Sequence, residues 1–323
     1  MLSVPIARVI RSGLEESVHP GDIVAVAADG RMVASAGDPE RLLFARSSMK
    51  PLQAAVSLSL APFAFSDREV AVMCGSHNAE PVHVEAVRSL MRRAGVAESA
   101  LRCPSRRPWD EATLVASPDP LPVNSDCSGK HAAMLAACLV QGWPPETYLD
   151  PDHPLQVTVL RAVLLATGRG SVHVGVDGCG APVHGLSLVA MATLYAGLAR
   201  PGRLGELEPH AARAIAAMRA EPYMVAGRNR VDTAVMLETS DLVVKSGAEG
   251  LVCAAVLGSG IGVAVKAGDG ASRASGPALI RALRLLDALD DEQVERLGAF
   301  ARPDVLGGGR PVGTVVADFT LSL

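Results

Sequence analysis

The chain has 323 residues, about half of them hydrophobic, and a formal net charge of -4, so it can bury a large core as one big domain or two closely packed ones. Its mildly acidic balance, without a basic stripe and with five Phe and three Tyr, argues against a nucleic-acid partner. No stretch offers the ~18 uninterrupted apolar residues of a membrane span, and the start Met1–Arg8 lacks the basic, apolar and small-residue parts of an export signal. A cytoplasmic location is therefore expected, with the six cysteines as thiols or metal ligands rather than disulfides.

Residues 4–36 alternate apolar and polar positions and predict two or three antiparallel strands, with turns at His19-Pro20-Gly21-Asp22 and at Asp29-Gly30. A helix is predicted from Ser47 to about Leu60. A second runs from Pro81 to Gly95, where Val84, Val87, Leu90 and Met91 recur at helical spacing. The proline-rich segment 102–124 has no clear period and reads as an ordered loop or lid. Helices are predicted at 128–142, 154–167, 182–199 and 203–219. The pattern then changes to β-branched runs at 241–245, 251–257 and 261–266, a three-stranded meander. A helix at 271–289, a short one near 291–301 and a last strand at 312–319 complete the chain. The fold class expected is α/β (α+β), an antiparallel sheet built from the two ends of the chain and flanked by helices, with a helical subdomain inserted. All 323 residues form one catalytic unit in this scheme. The sheet-containing part is about 1–60 and 232–323, and the mostly helical part is 61–231.

Five strings carry candidate chemistry. In Arg46-Ser47-Ser48-Met49-Lys50 a lysine stands three residues after a serine. Residues three apart share a helix face, so Lys50 can serve Ser47 but not Ser48. Pro51 fits only the first turn, which puts the helix start, and its free amides, near Ser47. A serine hydroxyl needs such a base to become a nucleophile. Alone, the string is better explained as an N-cap with a solvated lysine. The second string, Cys74 to His83, holds Ser76, His77, Glu80 and His83; its histidines are spaced unlike those of zinc proteases, and a loop with a helix cap explains it as well. The third pairs Asp126-Cys127-Ser128-Gly129-Lys130-His131 with Asp177-Gly178-Cys179-Gly180. It suggests a soft metal, although without a C-x-x-C pair the spacing is better explained by two small buried residues at tight turns. The fourth, Lys245 to Gly250, resembles the K-T-G element of penicillin-recognising enzymes, which also use S-x-x-K. The fifth, Ala226 to Thr233, offers two arginines, Arg228 and Arg230, to a carboxylate, with Asp232 as a helix cap.

Together and in this order, the strings resemble the rhizobial-type (thermolabile) L-asparaginase II family over nearly the whole chain. A small departure is Ala133, where glycine is expected. The resemblance implies a fold like that of serine β-lactamases and glutaminases. It implies hydrolysis of L-asparagine to L-aspartate and ammonia by two serine–lysine tandems, Ser47 with Lys50 and Ser76 with Lys245. It also implies a zinc ion held by Cys127, Lys130 and Cys179 with a water, and a homodimer. Arg46 is expected to meet the substrate carboxylate, Asp177 or Glu249 its ammonium, and His131 to line the substrate. The alternatives are a glutaminase, a β-lactamase-like serine amidohydrolase, and a non-catalytic zinc protein.

Overall fold

A computed structural model describes residues 2–322. The strands are β1 (Val4–Arg11), β2 (Leu14–Val26), β3 (Met32–Ala36), β4 (Leu42–Phe44), β5 (His173–Val176), β6 (Pro182–Ser187), β7 (Leu242–Gly247), β8 (Leu251–Val256), β9 (Ile261–Ala267), β10 (Asp304–Gly307) and β11 (Arg310–Val316). The helices before the middle of the chain are α1 (Lys50–Leu60), α2 (Asp67–Met73), α3 (Pro81–Ala94), α4 (Glu111–Ala116), α5 (Ser128–Gln141) and α6 (Pro154–Thr167). Those after it are α7 (Leu188–Ala199), α8 (Glu208–Ala220), α9 (Pro222–Val225), α10 (Val231–Glu238), α11 (Ser272–Leu285), α12 (Asp291–Arg296) and α13 (Gly298–Ala301). The fold is thus mixed helix and antiparallel sheet. Among the described residues no helix is long and apolar enough to cross a membrane.

The chain divides into two compact units. One comprises Met1–Ser48, Leu186–Arg200 and Ala234–Leu323; the other comprises Met49–Gly185 and Pro201–Thr233. The first unit holds the large antiparallel sheet, in the order β10-β11-β1-β2-β9-β8-β7, with β3 also on β2. Both ends of the chain therefore supply neighbouring strands: Arg8 pairs with Val316 and Val9 with Val315. All six residues of β8 are buried, because α7 and α11 both pack on β8 and β9. Helix α7 comes so close that a Cβ on Gly262 of β9 would lie 2.1 Å from the Ala192 carbonyl oxygen. Glycine is what allows this approach.

The second unit is helical. Helix α5 is buried along most of its length and packs on α1, α2 and α3, with α8 against α1 and α2. Its start meets the end of α2 through Gly129, whose missing Cβ would sit 2.2 Å from Val72 O. Helix α3 spans Pro81–Ala94 and stops at Gly95 with φ +71°, a left-handed C-cap open to glycine without steric cost. In this unit β5 and β6 pair antiparallel, His173 with Gly185 and Val176 with Pro182.

Three expectations need correction. The turn predicted at His19–Asp22 lies inside the thirteen-residue β2; a register shift between Pro5 and Ala7 of β1 accommodates the irregular pairing, as a bulge does. The real reversal is the two-residue turn Ser12-Gly13, both at positive φ (48° and 84°), the backbone a tight hairpin requires. The helix predicted over 182–199 begins only at Leu188, with Ser187 Oγ accepting from Ala190 N; residues 182–187 are strand β6. The segment 102–124 is ordered and contains α4, whose start is capped by Asp110 accepting from Thr113 N at 2.9 Å.

Candidate active site

The sequence has four lysines, and three of them, Lys50, Lys130 and Lys245, have at most 3% of their surface exposed. Lysine is almost never fully buried without partners, because an unpaired ammonium in a protein interior is costly. Each of these lysines falls in one of the strings singled out above.

Lys50 opens α1, with Pro51 in the helix's first turn. A short 3-10 turn, Arg46–Met49, leads into it. Lys50 Nζ lies 2.6 Å from Gly75 O, 2.8 Å from Ser76 Oγ and 3.2 Å from Asp126 O, with Asp126 Oδ2 at 3.8 Å. Two of these partners are carbonyls, which only accept. The third is a hydroxyl, which does either. As an ammonium, Lys50 donates to all three. As a neutral amine it keeps both carbonyl bonds and offers its lone pair to the Ser76 proton. One proton can thus reside on either group without any rearrangement of heavy atoms.

Ser76 is held from the opposite direction by the string 226–233. Its amide donates to Val225 O at 2.7 Å, and that of Asn78 donates to Ala226 O at 3.0 Å. Ala79 stands at φ +61°. The neighbouring carboxylate of Glu80 accepts from Tyr223 Oη at 2.6 Å and from Arg228 N at 3.0 Å. His77 has its tautomer fixed: Ala79 N donates to Nδ1 at 3.1 Å, so Nε2 carries the proton towards Ser128 Oγ at 2.9 Å, and Ser128 Oγ donates to Val123 O at 2.8 Å. Burial, then the facing His83 imidazole, lowers the His77 pKa well below its usual value. The second and fifth strings are therefore two halves of one support for Ser76, and His77 is part of the support rather than a base for Ser128.

The third string forms a sulfur–nitrogen cluster in the same unit. Lys130 Nζ is 3.1 Å from Cys179 Sγ. Cys127 and Cys179 share a hydrogen bond that pushes the Cys179 thiol far down towards thiolate and the Cys127 thiol up; burial reinforces the rise at Cys127, and Lys130 reinforces the fall at Cys179. Burial opposes the Lys130 charge, but the facing Cys179 and Cys127 outweigh it and raise its pKa. His131 Nδ1 is 2.6 Å from Tyr148 Oη, which itself accepts from Arg102 N at 3.1 Å. The phenol proton is thus free to go to Nδ1. Asp177 lies close enough to favour the Lys130 charge, while its Oδ1 also accepts from Gly178 N at 2.8 Å. Among the described residues no group of three His, Cys, Asp or Glu side chains is arranged for a metal. The donors gathered here are two sulfurs and an amine. Soft sulfur donors beside an amine suit a soft cation, which would take the place of protons on these groups.

In the sheet-bearing unit, Ser48 is fully buried. Its Oγ donates to Lys245 O at 3.1 Å, and its own carbonyl accepts from Tyr195 Oη at 2.8 Å. Ser48 is thus committed to structure. Lys245 sits on β7 opposite Cys253 of β8, and its Nζ donates to Ser246 O at 2.6 Å. Ser47 is half-buried, preceded by Arg46 at φ +44°. Glu249 is exposed in the β7–β8 turn at φ +62°, and its carbonyl accepts from Lys266 Nζ at 2.6 Å. Of the six non-glycine residues at positive φ among those described, four (Arg46, Ala79, Asn229 and Glu249) lie in the candidate strings. A left-handed non-glycine residue costs on the order of 1–3 kcal/mol, and such residues concentrate where function requires a particular geometry.

A family model for L-asparaginase II matches residues 7–317. The chain belongs to the L-asparaginase II family. No curated protein matches the sequence. Among solved structures, Mglu in its native form in 4.3 M NaCl is 18% identical, covering 83% of this chain and 60% of its own, at a TM-score of 0.47. A β-lactamase from Mycobacterium bovis is 16% identical over 83% of this chain and 95% of its own, at 0.48. The Bacillus subtilis glutaminase in covalent complex with 5-oxo-L-norleucine is 15% identical over 84% and 89%, at 0.37. The L-asparaginase II chain thus spans about three fifths of the length of Mglu.

The residues expected from this family fall as follows. Lys50 and Ser76, placed in different tandems by the resemblance, touch each other. Cys127, Lys130, Cys179 and His131 share one cluster, with Asp177 at its edge. Sequence reasoning missed Tyr148, Gly75 and Asp126 as partners of the site. Two of these act through backbone carbonyls, which no residue type announces.

Proposed function

We propose that this L-asparaginase II chain hydrolyses L-asparagine to L-aspartate and ammonia through a serine acyl-enzyme. The family assignment supports an amidohydrolase, and the 2.8 Å contact between Lys50 Nζ and Ser76 Oγ carries the mechanism. Ser47 attacks the side-chain carbonyl while Lys50 takes its proton. The carbon–nitrogen bond then breaks. The proton passes from Lys50 to Ser76, the hydroxyl it already holds, and from Ser76 to the leaving ammonia. Water attacks the resulting ester by the reverse route, aspartate leaves, and Ser47 regains its proton. Lys245 is assigned to the Ser76 tandem. Arg46 is assigned to the substrate carboxylate and Asp177 or Glu249 to its ammonium. Cys127, Lys130 and Cys179 would hold a zinc ion, which would supply fixed positive charge and order Lys130 and His131 around the substrate.

The test is ammonia release from L-asparagine and L-glutamine by the wild type and by Ser47→Ala. The wild type is expected to prefer asparagine, and Ser47→Ala to lose at least about 10³-fold in kcat with its circular dichroism unchanged. Near-normal turnover by the variant would remove Ser47 as nucleophile. Turnover of neither amide would remove the substrate class.

A further inference from the structure

The side chain of Arg230 reaches both the segment that carries Ser76 and the proline-rich segment. Arg230 Nη1 donates to Ser76 O at 3.2 Å and to Asn78 Oδ1 at 3.0 Å. The same guanidinium lies 5.7 Å from the centre of the Trp109 ring, within the range of a cation–π contact. Asn78 closes the circuit: its Nδ2 donates to Arg228 O at 2.8 Å, and its carbonyl accepts from the amides of Trp109 and Asp110 at 3.0 and 3.3 Å. Trp109 itself is 63% exposed, an unusual position for the largest side chain in a protein poor in aromatics. Asn78, Trp109, Asp110, Arg228 and Arg230, though not Ser76, line an open groove of about 840 Å³.

We infer that Arg230 is the positioning residue of Ser76, and that Trp109 holds Arg230 in place. The inference rests on the role given to Ser76 above. A planar guanidinium stacked on an indole loses little further freedom when its fork takes two acceptors. Those acceptors are the carbonyl of the relay serine and a side chain two residues beyond it. Together with the Val225 and Ala226 carbonyls, which take the amides of Ser76 and Asn78, the clamp fixes the peptide planes on both sides of Ser76. It thereby fixes the direction of Ser76 Oγ towards Lys50. A misplacement of about 1 Å at such a group costs roughly 10²-fold in rate. An arginine beside a groove could instead serve as the carboxylate receptor for substrate. Two points favour the clamp: the acceptors at Nη1 are protein atoms, and the stacking partner is an otherwise exposed tryptophan.

The experiment combines steady-state kinetics with hydrogen exchange of the peptide spanning 74–80, for wild type, Arg230→Ala, Arg230→Lys and Trp109→Ala. The clamp predicts faster exchange of that peptide in Arg230→Ala. It also predicts a kcat lower by about 10-fold or more with KM within about 2-fold, and no further loss when Arg230→Ala is added to Ser76→Ala. Trp109→Ala should show a smaller effect of the same kind, and Arg230→Lys a partial recovery. A raised KM with intact kcat would make Arg230 a substrate ligand and overturn the inference. Unchanged exchange in Arg230→Ala would overturn it whatever the substrate. Faster exchange in a protein that turns over no asparagine would leave the clamp standing and remove the proposed function instead.

Discussion

Three buried lysines stand out at the scale of single residues, and two of them, Lys130 and Lys50, have different kinds of partner. Lys130 faces the Cys179 sulfur at 3.1 Å, and the two cysteines raise its pKa against the effect of burial. Lys50 is bound to two carbonyls and a hydroxyl, partners that neutral and charged forms both satisfy. That difference suits Lys50, not Lys130, for moving a proton. The two adjacent serines are told apart in the same way. Ser48 Oγ is spent on Lys245 O, so Ser48→Ala is expected to cost about 1 kcal/mol of stability and to leave kcat within a few-fold. A loss of activity as deep as that of Ser47→Ala would contradict this division. The cysteines give a further prediction. Metal analysis of the purified protein should find zinc, and Cys179→Ala should lose it, because the thiolate is the strongest donor of the set. Retention of a full equivalent in that variant would move the site elsewhere. The sequence pattern exposed these residue types well. Spacing singled out Ser47 over Ser48, and in the structure Ser48 Oγ is bonded to Lys245 O. It did not disclose that Lys50 and Ser76 meet, since their contact depends on where the 74–80 loop lies on 225–230, about 150 residues away in the chain.

Glycines decide where helices can stand at the scale of elements. An added Cβ on Gly262 would meet the backbone of α7 at 2.1 Å and 2.2 Å, and backbone cannot rotate out of the way. Gly262→Ala is therefore expected to destabilise by about 3 kcal/mol, read from urea denaturation, without a specific effect on metal content. Gly129→Ala presses on Val72 O at the start of α5, where Cys127, Lys130 and His131 are held. It should lower both stability and bound zinc. Equal stability in either variant would show that the helices have room to shift. Periodicity revealed the elements with long regular patterns: α3 ends at its glycine as predicted, and β7, β8 and β9 follow the β-branched runs. It failed where the signal was short. Ser12-Gly13 makes a tight turn without the Asn-Gly signature, and β6 runs straight into the apolar α7, so that the two merge into one apparent helix.

Buried histidines give an expected acid response at the scale of the whole molecule. His77 and His83 stack with ring centres 5.3 Å apart, and burial first, aided at His77 by the facing ring, lowers both pKa values. Burial and then Lys130 lower His184 to about 4. Groups with a depressed histidine pKa stay neutral in the folded state while the unfolded chain protonates near pH 6.5. Their contribution is complete above that pH and is lost as pH falls below it, by up to about 1.4 kcal/mol per pH unit for each histidine. Urea midpoints measured from pH 7.5 to pH 5 should therefore fall steadily below pH 6.5, and His83→Phe should flatten the slope; a flat profile across that range would mean that these rings are protonated when folded. The central claim concerns one oxygen atom, and covalent labelling addresses it directly. An asparagine analogue with a diazoketone in place of its amide should attach, with loss of nitrogen, to a single serine. Mass spectrometry of the digested protein is predicted to place the adduct on Ser47, with no label on the Ser47→Ala variant. An adduct on Ser76, or on no serine at all, would contradict the account.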